Sequence, residues 1–156
     1  MKQELEEKLT QRFDFYKTNL PLTDSLMAFG FECGNGWFDL IWELSEKLEK
    51  MYQDYLNSIP INERAKDLLK NKEEGFRVLQ LKEKYGSLRV YSYGATREMQ
   101  DLMDEYEHRS CHTCEECGLE GNISRVNGWD SALCEKCKNK REKEWDKRHA
   151  KFELGS

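Results

Sequence analysis

The sequence lacks the long apolar run that a membrane-spanning helix requires. Such a helix needs about 20 consecutive apolar residues, whereas only 38% of the 156 residues are hydrophobic and 35% are charged. The opening stretch MKQELEEKLT also lacks the apolar segment of a secretory signal peptide. The sequence therefore predicts a cytoplasmic protein with no membrane partner, in a compartment that keeps cysteines reduced.

The chain also lacks the signatures of the common catalytic sites. It has three histidines, none of them in a nucleophile or metalloprotease pattern, and it has no P-loop or dinucleotide fingerprint. Glu32 and Asp39 flank a Gly-Asn-Gly turn and could pair as acids, but Asp39 would equally suit the first turn of a helix. We therefore predict a protein that is not an enzyme. A small enzyme acting on a phosphorylated substrate near Glu32, Asp39 and Lys82 is the second alternative.

Cysteine is well represented, and four of the six cysteines form two matched pairs separated by sixteen residues. These are Cys114, Cys117, Cys134 and Cys137. The spacing is typical of a zinc site in which four thiolates surround the metal at about 2.3 Å. Because four protein ligands leave no place for water, the predicted role of Zn²⁺ is structural. Cys111 or His112 could replace one ligand, and Cys33 is predicted to be a small core residue.

Between the two pairs, Asn127-Gly128 is a strong signal for a tight hairpin turn. It predicts strands over residues 123–126 and 129–133, and hence a zinc ribbon followed by a C-terminal helix. Upstream, residues 76–93 alternate in the manner of a β-hairpin. If Lys82 faces Ser87 there, the apolar face consists of Leu79, Leu81, Leu88 and Val90.

The eighteen aromatic residues indicate a folded core rather than a disordered chain. Helical periodicity marks four segments: 3–17, 37–59, the stretch with Ala65, Leu68 and Leu69, and the stretch that Thr96 caps. The predicted class is α+β, with helices packed on a small antiparallel sheet. The predicted domains are a body over 1–110 and a zinc ribbon with a terminal helix over 111–153.

Basic and aromatic residues gather around the predicted hairpin, and the GNGW segment begins a helix whose free N–H groups could face an anion. Lysine and arginine donate to phosphates, and aromatic rings stack on bases. They predict a site for a small anionic, nucleotide-like ligand, although the same residues could simply decorate a strand pair. The candidate ligand-binding residues are Glu32, Asn35, Trp37, Lys82, Lys84, Arg89 and Arg97.

Charge is spread unevenly along a chain of formal net charge −5. Residues 98–120 have eight acids against one arginine, and residues 136–151 have eight bases against three acids. The two segments could simply offset each other, or the basic helix could bind nucleic acid while a stripe of Trp145, His149 and Phe152 packs inward. The candidate nucleic-acid-binding residues are Lys138, Lys140, Arg141, Lys147 and Arg148. The sequence pI of about 5.4 argues against a dedicated nucleic-acid-binding protein.

Residues 29–37, 81–91 and 113–118 resemble segments of a group of small, mostly uncharacterised proteins of bacteria and their phages. That group has a G-[DN]-G-W segment, a K-E-K-[FY]-G-x-L-R hairpin and a C-terminal four-cysteine zinc motif, and the similarity spans roughly residues 22–138. The resemblance implies a prokaryotic or viral origin and a partner in the host, with interference in host machinery or defence as the expected role. A homodimer is a further alternative, because the predicted long helix has much apolar surface.

Overall fold

The structure is a computed structural model that describes residues 1–70 and 75–153, with side chains for 1–65 and 75–150. The predicted α+β class is confirmed within this part of the chain. The helices are α1 (Gln3–Arg12), α2 (Phe38–Ser58), α3 (Ile61–Lys70), α4 (Arg97–Ser110) and α5 (Glu135–Glu153). The strands are β1 (Phe31–Glu32), β2 (Arg77–Lys84), β3 (Ser87–Tyr93), β4 (Asn122–Val126) and β5 (Trp129–Leu133). The side chains of Leu68, Leu69 and Phe152 lie outside the described residues.

The first helix is shorter than the sequence pattern predicted. It ends at Arg12, and the prediction of a helix to residue 17 is wrong. The reason is the packing of Phe13, Phe15 and Tyr16, which are all buried. Three aromatic residues at this spacing cannot share one face of a helix, so the chain leaves the helix and all three enter the core.

The three-stranded sheet has the order β1-β2-β3. The predicted hairpin is present, but its predicted register is wrong. Lys82 faces Arg89 and Lys84 faces Ser87, because the turn has only two residues, Tyr85 and Gly86. Both have positive φ (53° and 79°), as in a type I′ turn. The short strand β1 adds a parallel neighbour to β2, so the sheet is mixed rather than purely antiparallel.

A bulge in β2 at Leu79 places Val78 and Leu81 on the same side of the sheet, although they are three residues apart. Both side chains are completely buried, and so is Leu88. Helix α4 packs beside β3, and α2 packs on α4. Thr96 caps α4 as predicted, since its Oγ1 accepts the N–H of Met99 at 3.3 Å.

Strands β4 and β5 form the two-stranded sheet of the predicted ribbon. Both turn residues, Asn127 and Gly128, have positive φ. Ala132 of β5 is completely buried in the main core, so the ribbon packs against the body. The division of the chain at residue 110 stays a prediction.

Helix α5 does not bury the predicted stripe as expected. Trp145 is 38% exposed and His149 is also exposed. The two rings stack on each other at 4.1 Å between centroids. The prediction that these residues pack inward was therefore wrong for Trp145 and His149, whose rings cover each other instead. Among the described residues, no helix is both long and apolar enough to cross a membrane.

Candidate metal centre and the hairpin–ribbon cleft

The first cysteine pair lies on a tight loop between α4 and β4. The N–H of Cys114 donates to the carbonyl of Leu119 at 2.7 Å, and the N–H of Gly118 donates back to the carbonyl of Cys114 at 2.8 Å. Gly118 has a φ of +78°, which an L-residue adopts only with strain. This glycine therefore lets the chain fold around the sulfur of Cys117, and we call residues 114–118 the first knuckle.

The second pair lies at the start of a helix rather than on a second loop. Cys134 immediately precedes α5 and Cys137 lies in its first turn. The N–H groups in the first turn of a helix favour negative charge. The backbone of the second pair therefore helps to stabilise thiolates.

The four predicted cysteines come together. All four Sγ atoms lie within 4.8 Å of one another, and those of Cys117 and Cys134 are 3.7 Å apart. A tetrahedron with metal–sulfur bonds of about 2.3 Å separates its sulfurs by about 3.8 Å. A disulfide would need about 2.05 Å, and all six cysteines are free. The cluster can hold a metal ion.

The environment of the cluster separates the acidities of its thiols. The N–H of Cys137 donates to the sulfur of Cys134, and with the neighbouring thiols it lowers the pKa of Cys134 to about 7. Burial raises the pKa of Cys137. One thiol is thus close to ionising at neutral pH, and a bound cation would displace the remaining protons.

The three other candidates near the cysteines lie outside the cluster. Cys111 directs its Sγ to the carbonyl of Glu107 at 3.5 Å, and His112 pairs through Nδ1 with Asn122 at 3.2 Å. Cys33 is buried in the main core, and this burial raises the pKa of its thiol to about 12. Its position agrees with the predicted role as a core residue.

The GNGW segment holds the first knuckle against the body, a contact that sequence reasoning missed. Gly36 donates its N–H to the carbonyl of Glu115 at 2.7 Å. Trp37 is completely buried, and its indole Nε1 donates to the carbonyl of Thr113 at 2.8 Å. A Cβ on Gly36 would lie 2.3 Å from the Cys114 carbonyl oxygen. Only glycine permits this approach, and we call residues 34–37 the cradle.

The other two cradle residues, Gly34 and Asn35, also have hydrogen-bond partners within the protein. The N–H of Gly34 donates to Oε1 of Glu115 at 2.9 Å, and burial raises the pKa of that carboxyl above its usual range. Oδ1 of Asn35 accepts the N–H of Lys2 at 2.7 Å. The predicted role of Asn35 and Trp37 in ligand binding stays a prediction. Their described contacts are structural.

A cleft of about 430 Å³ opens between the hairpin turn and the ribbon. Two of its residues have strongly exposed aromatic rings, Tyr85 at 71% and Trp129 at 74%. Its size falls within the range of small-molecule sites. The lining residues are Lys82, Glu83, Lys84, Tyr85, Glu115, Trp129, Asp130, Ser131 and Arg141.

Most charges in this hairpin–ribbon cleft have partners within the protein. Glu83 accepts the N–H of Gly86 at 2.6 Å. Arg141 donates to Glu116 at 2.6 Å, an ion pair that joins the acidic and basic segments of the sequence. Lys82 and Lys84 have no ion-pair partner among the described residues, so their two positive charges are available to a ligand.

The other predicted ligand residues are divided between two places. Glu32 and Arg89 flank Lys82 in register across the sheet, and Glu32 accepts a hydrogen bond from Gln80 at 2.9 Å. Arg89 forms an ion pair with Glu107 of α4. Arg97 is the first residue of α4 and is exposed, and none of its described contacts joins it to Glu32, Lys82 or Arg89. Asp39 is exposed in the first turn of α2, and nothing in its described contacts links it to Glu32.

The predicted nucleic-acid residues lie along α5 and have different surroundings. Lys138 lines a separate hollow of about 320 Å³ beside Cys134. Lys140 lies 4.0 Å from Glu144. Lys147 and Arg148 are exposed on the outer half of the helix. Their role in nucleic-acid binding stays a prediction.

No family model matches the chain, and comparisons with curated proteins and with solved structures found no similar protein. The fold and the cysteine cluster define an α+β protein with four cysteines that can hold a metal ion. Any more specific function has to come from the geometry of its own residues.

Proposed function

We propose that this chain is a non-enzymatic binding protein in which a structural zinc ion stabilises a cleft for a small anionic, nucleotide-like ligand. The observation that carries the proposal is the hairpin–ribbon cleft itself. Its walls belong to two separate sheets, and the first knuckle fixes one sheet relative to the other. The ion would therefore act on binding through the shape of the protein and not through chemistry.

Zinc is the metal that suits the cluster best. Four thiolates in a tetrahedron fit Zn²⁺ or iron, and Zn²⁺ has no redox chemistry and prefers this geometry in structural sites. The first knuckle has Cys114 fully buried and is attached to the body through Glu115 and Thr113. A metal in this position links the first knuckle to the start of α5, and the hydrogen bonds of the knuckle connect both to the body.

The ligand class follows from two lysines that form no ion pair among the described residues, one of which, Lys84, lies 5.5 Å from the ring centroid of Tyr85. Lys82 and Lys84 supply two ammonium groups, and Tyr85 and Trp129 supply exposed rings beside them. Ammonium groups donate to phosphate oxygens, and the rings offer faces for a base. Three carboxylates, those of Glu83, Glu115 and Asp130, also line the cleft. Each already faces a donor within the protein: Glu83 and Glu115 accept backbone N–H groups, and Asp130 lies 4.0 Å from Arg125.

Two measurements on protein purified without added metal test the proposal. Elemental analysis should find one zinc per chain and no iron, with no visible absorption band from iron–thiolate bonds. Adenosine diphosphate should then quench the fluorescence of Trp129, which a Trp129→Phe variant identifies. Lys82→Ala with Lys84→Ala should abolish the quenching, and Lys147→Ala should not. Iron in place of zinc refutes the metal assignment, and quenching that survives loss of both lysines refutes the ligand site.

The wider biological setting is proposed from the resemblance alone. A bacterial or phage origin, a cytoplasmic location, a host protein as partner and interference with host defence all remain predictions. The homodimer also remains a prediction. Trp42 packs on Phe13 and Phe38 within one chain, which reduces the apolar surface that a second copy would have to cover.

A further inference from the structure

The outer face of the three-stranded sheet has an ordered arrangement of basic and aromatic residues. Residues that face each other on neighbouring strands share a side of the sheet. Lys82 therefore lies beside Arg89, and the next pairs along the hairpin are Gln80 with Tyr91 and Arg77 with Tyr93. Lys84 lies toward the turn on the same side.

The bulge at Leu79 turns the apolar residues of β2 to the other side of the sheet, and this face is partly exposed among the described residues. Val78, Leu81 and Leu88 are completely buried on the opposite side. Tyr91 and Tyr93 are 45% and 44% exposed. Neither tyrosine belongs to the buried core cluster, so both rings present part of their surface to a ligand.

Several charged side chains on this face already have partners within the protein. The guanidinium of Arg77 lies 4.2 Å from the centroid of Tyr93, which forms a preorganised stack. Arg89 is held by Glu107 at the edge of the sheet. Glu32 is the carboxylate in register beside Lys82, and its Oε1 already accepts a hydrogen bond from Gln80.

We propose that this face, which we call the hairpin platform (Arg77, Lys82, Lys84, Tyr91 and Tyr93), binds single-stranded nucleic acid. Bases stack on Tyr91 and on the Arg77–Tyr93 pair, and Lys82 and Lys84 contact the phosphates. The inference deepens the proposed function and rests on it, because the same two lysines line the hairpin–ribbon cleft. The platform extends that cleft along the whole length of the hairpin.

The dimensions favour a strand over a single nucleotide. Strand β2 has eight residues, and at about 3.3 Å per residue it spans about 26 Å. At the turn end of β2, two further exposed aromatic side chains, Tyr85 and Trp129, line the cleft. Stacking on aromatic rings tolerates every base but requires unpaired bases. With a formal net charge of −5, the protein has no overall attraction for a polyanion, so binding depends on these local contacts.

The test uses the metal-loaded protein and fluorescence anisotropy of labelled homopolymeric single-stranded DNA and RNA. Affinity should rise with oligonucleotide length and exceed that for adenosine diphosphate. Two phosphate contacts predict a slope of about −1.4 for log K against log salt concentration. Changing both Lys82 and Lys84 to Ala should remove most of that slope.

The stacking contacts are tested separately from the charges. Tyr91→Ala should weaken binding about tenfold, and Tyr91→Phe should restore it because the ring is retained. Tyr55→Ala is the matched control, since Tyr55 on α2 is equally exposed, at 42%. Circular dichroism and the zinc content confirm that each variant is folded.

The outcomes separate this inference from the proposed function. Binding of adenosine diphosphate with no gain for longer strands, and no effect of Tyr91→Ala, overturns the platform but leaves the cleft. Loss of oligonucleotide binding in a Lys140→Ala, Lys147→Ala variant also overturns it, because the nucleic-acid surface would then be α5. No binding of either probe overturns both. Equal affinity for duplex and single strands overturns the assignment to unpaired bases.

Discussion

Replacing Gly36 with alanine should break the attachment of the first knuckle to the body. The new Cβ would lie 2.3 Å from the carbonyl oxygen of Cys114 and 2.5 Å from the amide nitrogen of Gly118. Both are backbone atoms, so no side chain can rotate to relieve the clash. Ordinary contact begins near 3.4 Å, and the knuckle would have to retreat by about 1 Å.

The cost follows from the hydrogen bonds that such a retreat would break. The bond from Gly36 to Glu115, now 2.7 Å, would lengthen beyond hydrogen-bonding distance, and the indole of Trp37 would move away from Thr113. Two lost bonds at about 1 kcal/mol each, with a partly buried group left unpaired, give about 3 kcal/mol. In a chain of this size that loss lowers the melting temperature by about 10 °C.

Urea unfolding and zinc transfer to a chromophoric chelator measure this prediction. Gly128→Ala is the matched control, because a Cβ there has nothing within 4 Å but the φ is +86°. Its cost should be only the strain of the left-handed conformation, about 1 kcal/mol. We expect Gly36→Ala to be clearly less stable than this control and to release zinc faster. Equal stability of the two variants would refute the close approach that the structure shows.

Three further predictions concern the metal and the body. Cys114→Ser should unfold the ribbon and lower the free energy of unfolding by several kcal/mol, and so should removal of the metal by a chelator. The measurements are circular dichroism and the thermal unfolding temperature. An unchanged unfolding temperature would contradict a structural metal. Trp37→Phe should cost about 2 kcal/mol in urea, because the Thr113 carbonyl loses its donor, and a cost near zero would contradict that bond. The carboxylate of Glu43 accepts hydrogen bonds from both terminal guanidinium nitrogens of Arg109. These bonds lower the pKa of the Glu43 carboxyl to about 2. This exposed pair should contribute at most about 1 kcal/mol to the free energy of unfolding. The contribution is complete above about pH 4.5 and is lost as the pH falls through 2. The free energies of unfolding of wild type and Glu43→Gln should therefore converge at that pH, and a difference that persists at pH 2 would contradict the ion pair.

The sequence predicts the ribbon well because its signals are local. Cysteines two residues apart and the Asn127-Gly128 turn act within a few residues of each other, and both appear in the structure where the pattern places them. The same holds for the cap at Thr96, whose partner Met99 is three residues away. These elements are predictable because the residues that define each of them are close together in the sequence.

The register of the hairpin shows where a local pattern was insufficient. The pattern suggested a four-residue loop, but Tyr85 adopts a positive φ, which is uncommon for a bulky residue. Glu83 helps by accepting the N–H of Gly86. Neither this turn nor the bulge at Leu79 has a strong signature in residue type, so the predicted facing pairs were displaced by two positions.

The role of the cradle depends on contacts between distant parts of the chain. Gly34 and Glu115 are 81 residues apart, and no periodicity connects them. Two glycines beside a tryptophan could have indicated a close backbone approach, but the sequence equally suggested a site for an anion. For helix α5 the apolar spacing predicted a buried stripe, whereas the structure has Trp145 38% exposed and stacked on the exposed His149.

The contact between the cradle and the first knuckle limits how the sequence can change over generations. A methyl group at Gly34 would meet the carbonyl oxygen of Glu115 at 2.2 Å, and one at Gly36 would meet Cys114 at 2.3 Å. A smaller side chain elsewhere cannot relieve either collision, since the opposing atoms are present in every amino acid. No second-site substitution can therefore rescue a change at these glycines by making room. The close approach therefore depends on the two glycines themselves, and the side chains of the ribbon can vary without affecting it.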